Sequence, residues 1–321
     1  MTPGERLATA NQRCVEHALP QRVDVGGRVL AVLEQGDPEG FPVFYAHGNP
    51  GSRLELLYFD EVARLKGFRL ITFDRPGFGG SDFVSPYDLH SFANDVATVA
   101  ASKGIARYGL LGWSSGAPPV IATTYYQPEA VAFTFAIAGY TDFSRFPDAI
   151  NFMKSRGFPG ASLSKQHPLI FTSILKMMRW ADLYRPQTYY REATRLMPAS
   201  DRRFLSSPGP ADLFIRGQQE ALIQGTRGSE QDLQVQWQYW GFEMADVTAP
   251  VVVIQGEQDS FVPREFPEHI ARQLSNASLV MIPEKGHLLP LDRAFQDQLF
   301  DNARHLINGQ SNHTLHWNLP H

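Results

Sequence analysis

Tyr108-Gly109-Leu110-Leu111-Gly112-Trp113-Ser114-Ser115-Gly116 is the stretch on which the fold turns. An apolar run enters a G-x-S-x-G pattern, and Ala117-Pro118-Pro119-Val120-Ile121-Ala122 follows at once. The order predicts a strand, a sharp turn and a helix, with Ser114 at the apex, projecting into a cleft. Glycine is needed on both sides because a side chain there would meet neighbouring backbone. Pro118 and Pro119 fit a helix only in its first turn, where amide hydrogens have no intrahelical acceptor, so the helix begins just after the serine. The pattern alone also suits a plain Ser/Gly loop; the flanking strand and helix argue against that.

Working outward, short β-branched or aromatic runs recur at residues 29–33, 43–46, 70–73, 108–111, 132–138, 251–254 and 279–282. Between them Leu89, Phe92, Val96 and Val99 share one helical face, as do Phe266, Ile270 and Leu274. Alternating strands and helices predict a doubly wound, mostly parallel α/β sheet covered by helices. The alternation stops over residues 141–246, where seven prolines from Pro147 to Pro210 punctuate helical segments with no strand among them. The chain therefore divides into a core (1–140), a helical lid insertion (141–246), the rest of the core (247–308) and a polar tail (309–321), expected to be loosely held.

The 321 residues, 43% of them hydrophobic, suffice for one large core plus an insertion. A net charge of -4, with basic residues spread along the chain, gives no footprint for nucleic acid. The N-terminus lacks an apolar signal region, and the longest nearly apolar stretch, residues 130–140, is too short for a bilayer; a soluble, cytoplasmic protein is expected. Cys14 stands alone in a polar segment and reads as an incidental thiol. His90, His167, His269 and His305 show no ligand spacing, so no metal and no cofactor is expected.

A serine hydroxyl needs a base, and the base an orienting acid. The run 251–254 leads into Gln255-Gly256-Glu257-Gln258-Asp259, and the run 279–282 into Pro283-Glu284-Lys285-Gly286-His287-Leu288. Both deliver their polar residue to the C-terminal edge of the sheet, where such folds assemble sites. Ser114 reads as nucleophile, His287 as base and Asp259 as acid, with Asp142, which also follows a strand, and Glu257 as alternatives for the acid. Asp259 alone would also suit a turn cap, and His287 alone a packed or surface histidine; order and strand context favour the joint reading. Upstream, residues 43–46 deliver His47-Gly48-Asn49-Pro50-Gly51-Ser52-Arg53, a rigid turn whose amides suit a developing oxyanion. The candidates are the Asn49 and Ser115 amides, while His47 reads as buried beneath the turn. Asp74-Arg75-Pro76-Gly77-Phe78-Gly79-Gly80-Ser81 reads as a structural loop.

Taken together, these segments resemble the lidded α/β-hydrolase superfamily, and most of all its bacterial serine esterase-type members. The likeness covers residues 23–308, though the insertion matches only in being helical and in ending with Trp240-Gly241-Phe242. It implies a Ser114-Asp259-His287 triad, in the chain order of that fold, with the Asn49 and Ser115 amides as oxyanion hole. Asn49 departs from the smaller or apolar residues frequent there, so its side chain is expected to reach substrate. Ser114 argues against the branches that use an aspartate nucleophile. The substrate is left open, because the fold hosts many chemistries.

The expected reaction is hydrolysis of a carboxylic ester, lactone or thioester through an acyl-enzyme, on a small-molecule substrate with no nucleic-acid or membrane partner. C–C bond hydrolysis on the same triad, a slow-turnover ligand receptor and a cofactorless dioxygenase are the alternatives. Ile170, Ile174, Met177 and Met178 share a helical face that either packs or lines the site, and Phe143, Phe146, Phe152, Phe158, Trp180, Tyr184, Tyr189 and Tyr190 add to it. Trp113, beside the nucleophile, is expected to form an apolar wall for substrate. An apolar pocket follows.

Overall fold

The structure is a computed structural model that describes residues 18–319, so Cys14 and the N-terminal segment lie outside the described residues. Eight strands, β1 (Gln21–Asp24), β2 (Val29–Gly36), β3 (Phe41–Ala46), β4 (Phe68–Phe73), β5 (Tyr108–Trp113), β6 (Val131–Ile137), β7 (Val251–Gly256) and β8 (Ala277–Ile282), form one sheet. Their order is β1-β2-β4-β3-β5-β6-β7-β8. Pairing is antiparallel across β1, β2 and β4 and parallel from β4 through β8. All seven expected strands are present; β1 was not legible, because Gln-Arg-Val-Asp has almost no side chain to bury at that edge.

Period-two alternation sends neighbouring residues to opposite layers. Phe44 and Leu110 pack with Phe92, Val96 and Val99 of α2 (Leu89–Ser102) and with α3 (Ala117–Tyr126). Tyr45, Leu111 and Phe135 face the other way, onto α1 (Asp60–Lys66) and onto Phe295, Leu299 and Phe300 of α12 (Arg293–Ile307). Ile270 of α11 (Glu265–Gln273) packs on β7 beside α3. With both faces covered, the central strands are buried and nearly all apolar, with Thr134 and Gln255 the polar exceptions in β6 and β7. Register pairs Ala46 with Gly112, Trp113 with Ile137 and Gly256 with Ile282, so the loops after β3, β5, β7 and β8 meet at one edge.

Between β6 and β7 the chain makes α4 (Ala149–Ser155), α5 (Gly160–Gln166), α6 (Pro168–Tyr184), α7 (Pro186–Arg195), α8 (Ala199–Phe204), α9 (Pro208–Ala221) and α10 (Arg227–Gln236). No helix among the described residues is long and apolar enough to cross a membrane. The tail differs from expectation in being docked. Trp317 stacks on Phe295 at 5.5 Å between ring centroids, the Asn302 amide bonds both His316 backbone groups, and Gln298 does the same for Asn318. Composition missed this because three apolar side chains, Leu315, Trp317 and Leu319, do the packing within a polar segment.

Candidate active site

The turn after β5 holds Ser114 at φ +56, a left-handed conformation that a non-glycine residue adopts only under constraint. The constraint is close packing: a Cβ on Gly112 would lie 2.2 Å from the Gly116 carbonyl oxygen, and one on Gly116 2.0 Å from that of Ala46. β3 and the start of α3 thus press together around the serine. Pro118 and Pro119 occupy the first turn of α3, where they interrupt no helical bond.

Asp259 follows β7 by a tight turn in which the Gln258 amide donates to the Lys285 carbonyl at 2.8 Å, tying the acid-bearing loop to the histidine-bearing one. One Asp259 oxygen, Oδ1, accepts the Phe261 and Val262 amides at 2.8 and 2.9 Å; the other lies 2.8 Å from His287 Nδ1. With Nδ1 donating to the carboxylate, Nε2 keeps a lone pair. Burial pulls the His287 imidazolium down, but Asp259, then Asp201 and Glu55, outweigh it and raise the group above its ordinary 6.5. Ser114, His287 and Trp113 line one cavity of about 560 Å³. The Trp113 indole also donates to the His287 carbonyl at 3.0 Å, so it steadies the histidine loop as well as walling the cavity.

The turn after β3 lies against the serine: a Cβ on Gly48 would meet Ser114 Cβ at 3.6 Å. His47 is fully buried, its Nδ1 2.8 Å from the Gly48 carbonyl and its Nε2 accepting the Arg75 amide at 3.0 Å. Burial, then the Arg75 charge, holds it well below the usual histidine range, so it is a neutral strut. The Asn49 side chain departs from expectation. It bonds the Ser229 hydroxyl and carbonyl and, at 2.7 Å, Asp232 Oδ2, all on α10, because the insertion sits directly over this turn. Only its backbone faces the question of the oxyanion.

Asp142 accepts from Ser144 and Arg145 and, through Oδ2, from the Trp240 amide at 3.1 Å, clasping the start of the insertion to its end. Glu257 is exposed. Neither meets His287. In the insertion, Phe171, Ile174, Leu175 and Met178 line the cavity, whereas Ile170 and Met177 are more than half exposed. The inward face of α6 is centred on Phe171, Leu175 and Met178, about 120° around from Ile170 and Met177. Phe143 and Phe146 pack on Phe266, and Trp180 and Tyr184 face outward, while Phe158 and Tyr189 reach the cavity.

Two site residues carry no motif. Asp201, on α8, accepts the His287 and Leu288 amides at 2.9 and 3.0 Å. Gly286 makes room for it, since a Cβ there would stand 2.3 Å from Asp201 Oδ1. Glu55 accepts from the Tyr45 hydroxyl at 2.6 Å and the Gly48 amide at 3.0 Å. A second, more open groove of about 960 Å³ between β8 and the tail contains no carboxylate among the described residues. No cluster of three or more His, Cys, Asp or Glu among the described residues is arranged to hold a metal ion.

A serine at a strained elbow and an acid-paired histidine in one cavity, on a sheet of this order, define a class. The sequence profile of the alpha/beta hydrolase fold matches residues 42–294, and the chain belongs to that family. It is similar to the dihydrolipoyllysine-residue acetyltransferase component of the acetoin cleaving system of Pseudomonas putida, 26% identical over 86% of this chain but 66% of that longer protein. It is also similar to the 2-hydroxy-6-oxononadienedioate/2-hydroxy-6-oxononatrienedioate hydrolase of Klebsiella pneumoniae subsp. pneumoniae, 26% identical over 83% of this chain and 87% of the relative. Among solved structures, a carboxylesterase of Nitrososphaera gargenis superposes with a TM-score of 0.65 over 90% of this chain and all of its own, at 14% identity.

Proposed function

We propose that the chain is a serine hydrolase cleaving a small, partly apolar carboxylic ester, lactone or thioester through an acyl-enzyme. The observation that carries this is the 2.8 Å bond between His287 Nδ1 and Asp259 Oδ2 in the cavity that Ser114 lines from its strained turn. Ser114 Oγ attacks the acyl carbon as its proton passes to His287 Nε2. Asp259 holds the imidazole in the accepting tautomer and stabilises the imidazolium. The oxyanion takes the amide hydrogens of Asn49 and Ser115; that of Gly48 is committed to Glu55. His287 then returns the proton to the leaving group, and water repeats the sequence on the acyl-enzyme, releasing the acid. The insertion acts as a lid that supplies the apolar wall, and Trp113 supplies the wall beside the nucleophile.

C–C bond hydrolysis, the activity in the Klebsiella relative's name, would use the same three residues. The cavity argues for the ester reading: a dioate needs cationic partners, and no lysine or arginine lines the cavity among the described residues. A fluorophosphonate probe followed by a panel of esters, lactones, thioesters and a vinylogous diketone tests the proposal. Stoichiometric labelling at Ser114 with ester turnover is expected; labelling elsewhere, or C–C cleavage alone, overturns it.

A further inference from the structure

Glu55 is a carboxyl in the cavity that the hydrolytic chemistry does not use. It follows the turn after β3 and faces inward. Its Oε2 is occupied by two donors, the Tyr45 hydroxyl and the Gly48 amide, so the side chain is fixed in place. Its Oε1 accepts from no described residue and is not sealed from the cavity. A Cβ on Gly48 would lie 3.4 Å from Glu55 Oε1 and 3.6 Å from Ser114 Cβ, so the open oxygen and the serine flank the same glycine.

The surroundings give this oxygen a sign. The other carboxylate on the cavity wall, Glu192, is paired with Arg191 and Arg195 at the exposed rim. No lysine or arginine lines the cavity among the described residues. Burial pushes Glu55 up to about 7, against the pull of Tyr45, Gly48, Arg75 and His287. An ionised Glu55 this near Ser114 would oppose the oxyanion unless its charge were met. A hydroxyl would satisfy the hydrogen bond but leave the charge. An ammonium satisfies both, through a charge-assisted bond in a cavity lined mostly by apolar side chains.

We infer that Glu55 Oε1 is a specificity site for a protonated amine carried by the substrate a few bonds from the scissile carbonyl. This rests on the serine-hydrolase reading and narrows it to aminoacyl esters. The carbonyl lies over Ser114 and the amine turns towards the turn after β3.

Two measurements separate the inference from the reading beneath it. The first compares kcat/KM for p-nitrophenyl 3-aminopropanoate and p-nitrophenyl butanoate, each divided by its uncatalysed rate, in the wild type and in Glu55→Gln, which keeps the shape and can still accept from Tyr45 and Gly48. The aminoacyl ester is expected to lead by roughly tenfold or more, with the ratio falling to about one in Glu55→Gln. A wild type that favours butanoate, or a ratio that survives in Glu55→Gln, overturns the inference. The second titrates n-butylammonium chloride and n-butanol calorimetrically into Ser114→Ala, with and without Glu55→Gln, and needs no turnover. Roughly tenfold tighter binding of the ammonium that vanishes with Glu55 is expected, and equal binding of the two probes overturns the inference. If the ammonium binds through Glu55 yet no ester is cleaved and no serine labels, the hydrolase reading falls and the amine site stands.

Discussion

In β5, β6 and β7 every residue is buried, whereas α7 of the insertion buries none and α6 buries only Phe171 and Asp182. The sheet is held by apolar packing on both faces. The insertion is held by apolar packing near its base, where Met197, Leu205 and Leu213 join the core, Phe143 and Met153 meet Phe266, and Ala221 and Leu222 meet Phe78. Polar ties add to it: Asp201 to the His287 loop, Asp232 to Arg75 at 2.9 Å, Glu220 to Arg53 at 2.6 Å and Gln224 to the Gly79 and Ser81 carbonyls. These ties lie on α8, α9 and the segment through α10; the outer face of α6 presents Leu169, Met177, Trp180 and Tyr184 to solvent. The difference teaches that reaction geometry is set by a rigid edge, and the shape of the cavity by helices with fewer constraints.

The largest test breaks the core side alone. Ser114→Ala should lower turnover by roughly four to six powers of ten and abolish fluorophosphonate labelling. Its melting temperature should change little, since the change removes only a hydroxyl that makes no hydrogen bond to a described residue, and alanine keeps the same Cβ at the same φ of +56. Turnover that survives would remove the nucleophile assignment, and labelling at Ser115 would move it by one residue.

The acid assignment separates catalysis from scaffold. Asp259→Asn should cost roughly four powers of ten in kcat, because the His287 tautomer is no longer fixed. Asp142→Asn should leave kcat within about tenfold but destabilise the chain by about 1–3 kcal/mol, since the carboxylate joins Ser144 to Trp240. Glu257→Gln, on an exposed side chain, should change neither. A crippled Asp142→Asn beside an active Asp259→Asn would reverse the assignment.

The sequence made the core half of this comparison readable. Strands of alternating or continuous apolar residues announce themselves locally, and so do Gly112, Ser114 and Gly116, because the turn's chemistry is written in adjacent positions. Asp259 and His287 were readable because each follows a strand whose end is fixed by the sheet. Asp201 and Glu55 were not. Asp201 bonds a partner 86 residues away, and Glu55 bonds Tyr45 and Gly48 close by, but no local pattern marks either as lying beside the site. Gly286 was the one available hint, a position where a side chain would collide with Asp201. The Asn49 side chain misled for a related reason: its donors and acceptors on α10 come from 180 residues away.

Asp232→Asn should weaken the tie between the two regions. The change leaves the buried Arg75 guanidinium without its carboxylate and should cost about 3 kcal/mol in denaturant unfolding. Hydrogen exchange should quicken over α9 and α10 and stay unchanged in β5 and β6. Equal loosening of both would show that core and insertion unfold as one unit.

Asp201→Asn should reveal how the insertion reaches the core by charge. A raised imidazolium pKa keeps His287 protonated, and so inactive, to higher pH; the acid limb of kcat/KM is therefore expected above 6.5 in the wild type. Removing the Asp201 charge should move that limb to lower pH while kcat falls by up to roughly tenfold, since the asparagine oxygen can keep only one of the two amide bonds. A limb that stays put would mean that Asp201 only packs.

The smallest effect per step comes from the cavity wall. Each methylene buried against Phe171, Leu175 and Met178 is worth about 0.8 kcal/mol, so kcat/KM over p-nitrophenyl esters should rise by about fourfold per carbon from acetate. How the rise ends discriminates between the two regions. A wall as rigid as the sheet would stop it abruptly at the chain length that fills the cavity. A wall made of α6 and α7, whose outer faces meet water and whose side chains include the adaptable Met178, should give way and turn the stop into a plateau. Measured from two to twelve carbons, a monotonic decline from acetate would sink the apolar pocket. A sharp cut-off would keep the pocket but show that the insertion is held more firmly than its ties suggest.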